Sequence, residues 1–535
     1  MSMDAQARAA APAAPAAATR SPARRLGLRA LWPLLLLSAI LLATIAAGAW
    51  KGFPVADDGY LTFLLRAGRG RVIEAHPDRP IYGWLLQVWA GGGTTTAPYI
   101  ALDLALWSLL AWQTGLLWRR LFPESARYWP LAAVLCIAPL AVETQFTTLT
   151  TLLPANLPVC LALGGLLWLL SDAPATTAAS AAVAAAMAFA VAISEYGLVT
   201  AAAGITLLVF LGRIRRAAPL AAGAAVGYGV FRAIADVSGR EDTRLAVQGS
   251  KLFTTPWAIP PRLGTGLWYA LFGAYGRAAD QLRPEWSSRS TILALAVAIA
   301  VSALAVWSCR GSRDAGLPEG ALGLRRPLAL LAATTVALAA VMSQNTFLIL
   351  TGYESRLRLP ALPFAALLVL CGIRALQPRY RTIAVGLLAF LAGYTTATAS
   401  VETVREQRIL SQIGEVLRKR LGPEGTTTIA VIPPLAGRLD AVELSAKATR
   451  GWTNAEAERV WLMRPSDALA EYGDRMACKP PGSFFVENER FARPPTRICR
   501  ILYIPVSPDG RIGEVEPYCI GAMRTWSAAG CDRSF

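Results

Sequence analysis

Over its first 400 residues the chain alternates between long apolar runs and short, mostly basic connections. The apolar runs lie near 30–49, 97–117, 128–143, 153–170, 174–193, 196–212, 217–234, 290–308, 327–349, 359–374 and 382–399. Each is close to the length of about 20 residues that an α-helix needs to cross the hydrocarbon core of a bilayer. Eleven spans are therefore predicted. Beyond residue 400 the pattern changes. An amphipathic stretch over 401–421 leads into a β-branched run at Thr426–Ile432, which Pro433 and Pro434 stop. Helix followed by strand predicts a small α/β module of one core. The expected fold is thus mainly α. It has a disordered Ala/Pro-rich leader at 1–29, a polytopic transmembrane helix bundle at 30–400 with a large first outer loop at 51–96, and a soluble domain at 401–535.

Composition agrees with this division. The apolar set makes up 54% of residues, the charged set 16%, and the mean hydropathy is +0.42, outside the range of ordinary soluble enzymes. The net charge of +17 belongs almost wholly to the first 400 residues, because 401–535 carry 19 basic against 17 acidic side chains. The excess basic residues cluster between alternate spans. The clusters are Arg20, Arg24, Arg25 and Arg29; Arg119, Arg120 and Arg127; Arg213, Arg215 and Arg216; Arg310, Arg313, Arg325 and Arg326; and Arg374, Arg379 and Arg381. The positive-inside rule puts all five on the cytoplasmic side. An odd number of spans then puts the tail outside, in a multi-pass cell (inner) membrane protein with an extracytoplasmic, periplasmic C-terminal domain. A cleavable signal peptide is the competing reading of the first run. That run is long for a signal sequence, and Lys-Gly-Phe-Pro follows it rather than a small-residue cleavage site.

Several function classes drop out. His76 is the single histidine and no CxxC occurs, which argues against a conventional zinc site. No GxxxxGK[ST] occurs, which argues against an ATP-driven pump in one chain. No basic stripe with interleaved aromatics suggests nucleic-acid binding. Cys136, Cys160, Cys309 and Cys371 lie in or beside spans as small apolar fillers. Cys478, Cys499, Cys519 and Cys531 lie in the tail, where an oxidising compartment predicts two disulfide bonds in one of three connectivities.

The first outer loop departs from the charge rule. It carries Asp57 and Asp58 directly after the first span. Arg66, Arg69 and Arg71 follow, then Glu74, His76, Asp78, Arg79 and Tyr82. Paired carboxylates can act as a general base or as metal ligands, and arginines bind phosphate oxygens. The bland alternatives are a helix cap for the aspartates and lipid headgroups for the arginines. Glu143, Glu195, Glu354 and Arg356 fall at the outer ends of other spans, and Asp103 lies about two turns into the second. Acids in such places usually face a bundle interior or an aqueous cavity, so a polar cavity open to the outer face is expected. The segment from Asp236 to Arg289 is rich in Pro and Trp, and 262–278 reads as a helix lying on the membrane.

Asp57-Asp58, the DRPIYG at Asp78 to Gly83, the late GYESRLRLPALP, and eleven spans with an outer tail together resemble the GT-C superfamily of polytopic glycosyltransferases, which includes the aminoarabinose transferases and protein O-mannosyltransferases. The resemblance implies a polyprenyl-phosphate sugar donor, with a lipid, glycan or protein as acceptor. It also implies inverting hexosyl or pentosyl transfer with Asp57 or Asp58 as base. Arg79 and Arg356 would meet the lipid phosphate. Arg66, His76, Asp78, Tyr82, Asp103, Glu195 and Glu354 would complete the substrate site. Some members use a divalent cation, and Asp57, Asp58 and Glu195 could hold magnesium or manganese through oxygen. Two other classes stay open. One is a lipid-linked sugar flippase or transporter, against which the spans show no internal repeat. The other is a non-catalytic subunit of a polysaccharide-assembly complex.

Overall fold

A computed structural model describes residues 39–40, 43–44, 80–90, 97–137, 155–171, 176–237, 259–273, 288–310, 323–344, 358–418, 426–431, 460–463, 485–486, 496–503, 512–514, 516–517, 519–520 and 526–527. The described part is mainly helical. Its helices are α1 (Pro80–Ala90), α2 (Ala97–Leu121), α3 (Trp129–Ile137), α4 (Leu157–Leu169), α5 (Thr177–Ile193), α6 (Glu195–Phe210), α7 (Ile214–Val237), α8 (Ile259–Trp268), α9 (Ser288–Arg310), α10 (Arg325–Gln344), α11 (Leu362–Ala375) and α12 (Pro378–Arg418). Two helical stretches, Ile214–Ile234 and Thr291–Cys309, are long and apolar enough to cross a membrane. Shorter apolar helices are Leu157–Leu169, Thr177–Ile193, Glu195–Phe210 and Leu362–Ala375. On α9 the side chains of Ile292, Leu293, Ile299 and Trp307 are all more than half exposed. A patch of that extent along one helix is costly in water and natural in lipid.

Two boundaries differ from the sequence reading. The last apolar run and the amphipathic stretch after it form one helix, so the division at residue 400 falls inside α12. Nothing breaks it: Pro378 occupies its first position and no proline follows until Gly422-Pro423, a strong stop. The surface helix expected at 262–278 begins earlier, as α8, and continues into a π-turn at Tyr269–Gly273. Leu263, Leu267 and Leu271 pack on the core while Trp268 and Phe272 point outward with ring centroids 5.1 Å apart.

The bundle is tied together at one end by arginines. A helix leaves its last carbonyls unpaired and carries partial negative charge there. At this end, cations at the start of other helices meet those carbonyls. Arg213 donates to the Leu170 carbonyl at 3.1 Å and Arg216 to that of Leu169 at 2.9 Å and to that of Ser171. Arg325 Nε donates to the Phe210 carbonyl at 2.7 Å, and Arg381 Nε to that of Leu376 at 2.7 Å. Three of the five basic clusters therefore have members that meet helix ends. The cluster at Arg20 to Arg29 lies outside the described residues.

Gly212 makes the turn from α6 to α7 at φ +74, with the Arg213 amide bonded back to the Leu208 carbonyl at 2.8 Å. A Cβ there would meet both the left-handed penalty and the Arg325 guanidinium. Gly212→Ala is expected to cost about 1–2 kcal/mol, read as a lower melting temperature of purified protein. A variant that melts with wild type would remove the strain argument.

Glu124 sits in the 3-10 turn Pro123–Tyr128 and accepts from Arg374 at 2.8 Å and Arg326 at 3.1 Å. Arg374 also donates to Ser125 Oγ at 2.9 Å, and both guanidinium groups lie near the Phe122 ring. Arg374 is the stronger partner, its side chain being 16% exposed against 44% for Arg326. Burial alone would raise the Glu124 carboxyl. The Arg374 hydrogen bond, a backbone bond and the two positive charges outweigh burial and hold it below its ordinary 4.5. Its stabilisation is therefore complete above that ordinary value and is lost as pH falls through the lowered one. Wild type is expected to lose melting temperature more steeply than Glu124→Gln as pH falls below that ordinary 4.5. Parallel profiles would refute the linkage.

The C-terminal part carries a sheet ordered β2-β1-β4-β3, with β1 at Thr426–Val431, β2 at Val460–Met463, β3 at Phe485–Val486 and β4 at Thr496–Tyr503. β1 runs parallel to both β2 and β4, β3 is antiparallel to β4, and β5 (Glu516–Pro517) also pairs antiparallel with β4. β6 (Cys519–Ile520) and β7 (Trp526–Ser527) form a separate pair. Parallel pairing after a long helix is the α/β pattern expected from the sequence. Cys499 lies on β4 and Cys519 on β6. The side-chain pairing of all four tail cysteines lies outside the described residues.

Candidate functional site

The end of the bundle away from the arginine ties holds the polar groups that bear on function. Asp103 lies six residues into α2, about 24 Å along the helix from Arg119. It is 2% exposed. Asn156, at the cap position of α4, is wholly buried and donates from Nδ2 to Asp103 Oδ1 at 3.1 Å. A carboxylate sealed in an apolar bundle needs such donors. Two further bonds stitch the same seam between α2 and α4. The Cys160 thiol donates to the Leu106 carbonyl at 3.6 Å, and Gln113 Nε2 donates to the Cys160 carbonyl at 2.9 Å. Trp107, one turn beyond Asp103 on the same face of α2, is also wholly buried.

α1 precedes α2 in the chain. It covers the PIYGW of the DRPIYG motif and packs on α2 and α5. Its Tyr82 is 1% exposed and belongs to the main hydrophobic core. Glu195 opens α6, directly after the buried Ser194, whose Oγ accepts from the Tyr196 amide at 3.2 Å. It is half-buried in the first turn, where the helix dipole favours an anion. Ser400 Oγ donates to the Thr44 carbonyl at 2.6 Å. That bond brings residue 44 of the first apolar run against α12 near residue 400.

Of the residues expected at the site, Tyr82, Asp103 and Glu195 have described positions. Asp57, Asp58, Arg66, His76, Asp78, Arg79, Glu354 and Arg356 lie outside the described residues. Two residues that the sequence reading did not single out belong with them. Asn156 is one. Arg358, 3% exposed at the turn that opens α11, is the other; it stands two positions after Arg356 in ESRLRLP. An arginine buried at a span end is a functional candidate by default. Among the described residues no three His, Cys, Asp or Glu side chains come close enough to hold a metal ion. Only Glu195 of the three candidate cation ligands is described, so no chemical step below passes through a cation.

No family model matches the chain, and no curated protein or solved structure matches it.

Proposed function

We propose that this chain is a membrane-embedded glycosyltransferase of GT-C type, which moves a sugar from a polyprenyl-phosphate donor to a lipid, glycan or protein acceptor on the extracytoplasmic face. The observation that carries the reading is the buried Asp103–Asn156 pair between α2 and α4, with α1 packed on α2. In the sequence the paired carboxylates of the first outer loop follow the first apolar run, whose Thr44 is bonded to Ser400 on α12, and α1, from the same loop, packs on α2. Arginines cap helix ends at the opposite end of the bundle, which supports an N-in, C-out orientation in an inner membrane. Asp57 or Asp58 then takes the acceptor proton as the acceptor oxygen attacks the anomeric carbon. The bond from that carbon to the phosphate oxygen breaks, and the polyprenyl phosphate leaves. Arg79, Arg356 and the buried Arg358 are the cations available to offset its charge. A divalent cation, if bound, would supply further positive charge at Asp57, Asp58 and Glu195.

The test incubates purified protein in nanodiscs with radiolabelled polyprenyl-phosphate sugars and a membrane-lipid extract. Transfer of label to a new acceptor is the expected outcome, and the labelled donor that works identifies the sugar. Lipid-linked sugar crossing the bilayer of a proteoliposome with no transfer would replace the transferase by a flippase.

A further inference from the structure

The seam between α2 and α4 contains more hydrogen-bonding capacity than its own side chains use. Asn156 spends Nδ2 on Asp103, but its Oδ1, which the planar amide holds beside that bond, has no hydrogen-bond partner. Trp107 Nε1, one turn deeper on the same face of α2, has none either. Both residues are wholly buried. The Asn156 amide orientation is fixed chemically, because the reverse would set its oxygen against a carboxylate oxygen. A buried acceptor and a buried donor left unmade are each costly. Native interiors keep such groups where water or a ligand completes them. An acceptor next to a carboxylate, with an indole N–H one turn away, matches a group that donates and accepts at once. That group is a hydroxyl.

We propose that Asp103, Asn156 and Trp107 form a hydroxyl-recognition subsite for the sugar, with Asn156 as a positioning residue that aims the Asp103 carboxylate. The choice of a sugar rather than trapped water rests on the glycosyltransferase reading. The surroundings agree with that choice, since α1, which belongs to the first outer loop, packs on α2. All three side chains are sealed, so a ligand enters only as a packed element moves. α1 is the packed element that belongs to that loop.

The test measures melting of the full chain in nanodiscs with methyl glycosides of glucose, mannose, galactose and arabinose, against glycerol at equal concentration to remove general polyol stabilisation. At least one glycoside is expected to raise the wild-type melting temperature by about 2 °C or more beyond glycerol. Trp107→Phe, which removes the indole N–H and leaves a smaller aromatic ring, is expected to fold and to lose most of that increment. Asn156→Ser is expected to lose it as well. Shifts no larger than those of glycerol, or an increment unchanged in Trp107→Phe, would mean that trapped water alone fills the seam, and the subsite would fall. The two readings fail separately. Glycoside binding without transfer removes the transferase and keeps the subsite, while transfer with the same sugar preference in both variants keeps the transferase and removes the subsite.

Discussion

Gly227→Leu is expected to destabilise the protein by about 3 kcal/mol or more, the upper range for forcing atoms into a packed interior. α7 crosses α5 with Gly223 and Gly227 turned toward it, a small-xxx-small pattern that lets two backbones approach closely. A Cβ on Gly223 would run into the Ala184 carbonyl and Met187, and one on Gly227 into the Ala188 carbonyl and Val191. Those neighbours are helix backbone and Cβ atoms, which cannot rotate away as a long side chain would. The helices must separate, and the contacts made by the buried Val183, Met187, Ala190 and Val191 go with them. Gly229 provides the control, because nothing lies within 4 Å of a Cβ there. Gly229→Leu is therefore expected to melt near wild type. Thermal unfolding of the three proteins in nanodiscs decides the matter, and a Gly227→Leu variant indistinguishable from Gly229→Leu would show that the close approach is not maintained.

Asp58→Asn, or Asp57→Asn if that residue is the base, is expected to lower kcat/KM for sugar transfer about 10²–10⁴-fold, the usual contribution of a positioned general base. The amide keeps the shape of the carboxylate and its ability to accept a hydrogen bond, but it cannot take a proton from the acceptor hydroxyl. It also retains what a helix cap needs, so a merely structural aspartate would tolerate the change. The melting temperature is expected to stay within about a degree of wild type in both single variants, since asparagine keeps the size and the capping capacity of aspartate. Full transfer activity in the double variant would remove the paired aspartates from the mechanism. A matching fall in melting temperature and activity would assign them a structural role.

Much of the helical layout was legible in the sequence because the free energy of an apolar run is a local property. A stretch such as Thr291–Cys309 is apolar enough to leave water whatever it packs against, and β1 was readable within one residue from its threonines, isoleucine and flanking prolines. Arginine positions were legible for a similar reason. They follow helix ends one after another, and the structure uses several of them as the cations that meet terminal carbonyls. The merger of the last span with the amphipathic stretch was present in the absence of any proline between Pro378 and Pro423. The change in polarity at residue 400 masked it.

The polar pairs were not legible. Asn156 lies near the start of the apolar run at 153–170, where nothing in the run's hydropathy marks it, and its partner is 53 positions away. Glu124 looked like one acid among basic neighbours until Arg374, 250 positions on, was placed against it. Hydropathy cannot distinguish a solvated acid from a buried one that has found its donor. Composition and periodicity by themselves determined which segments are helical and where the arginines fall along the chain, because those depend on each segment's own transfer free energy. Which helices meet at glycine contacts, and which polar atoms pair across them, was decided only by the tertiary structure, because a buried hydrogen bond exists only once packing brings both partners to one place and excludes water.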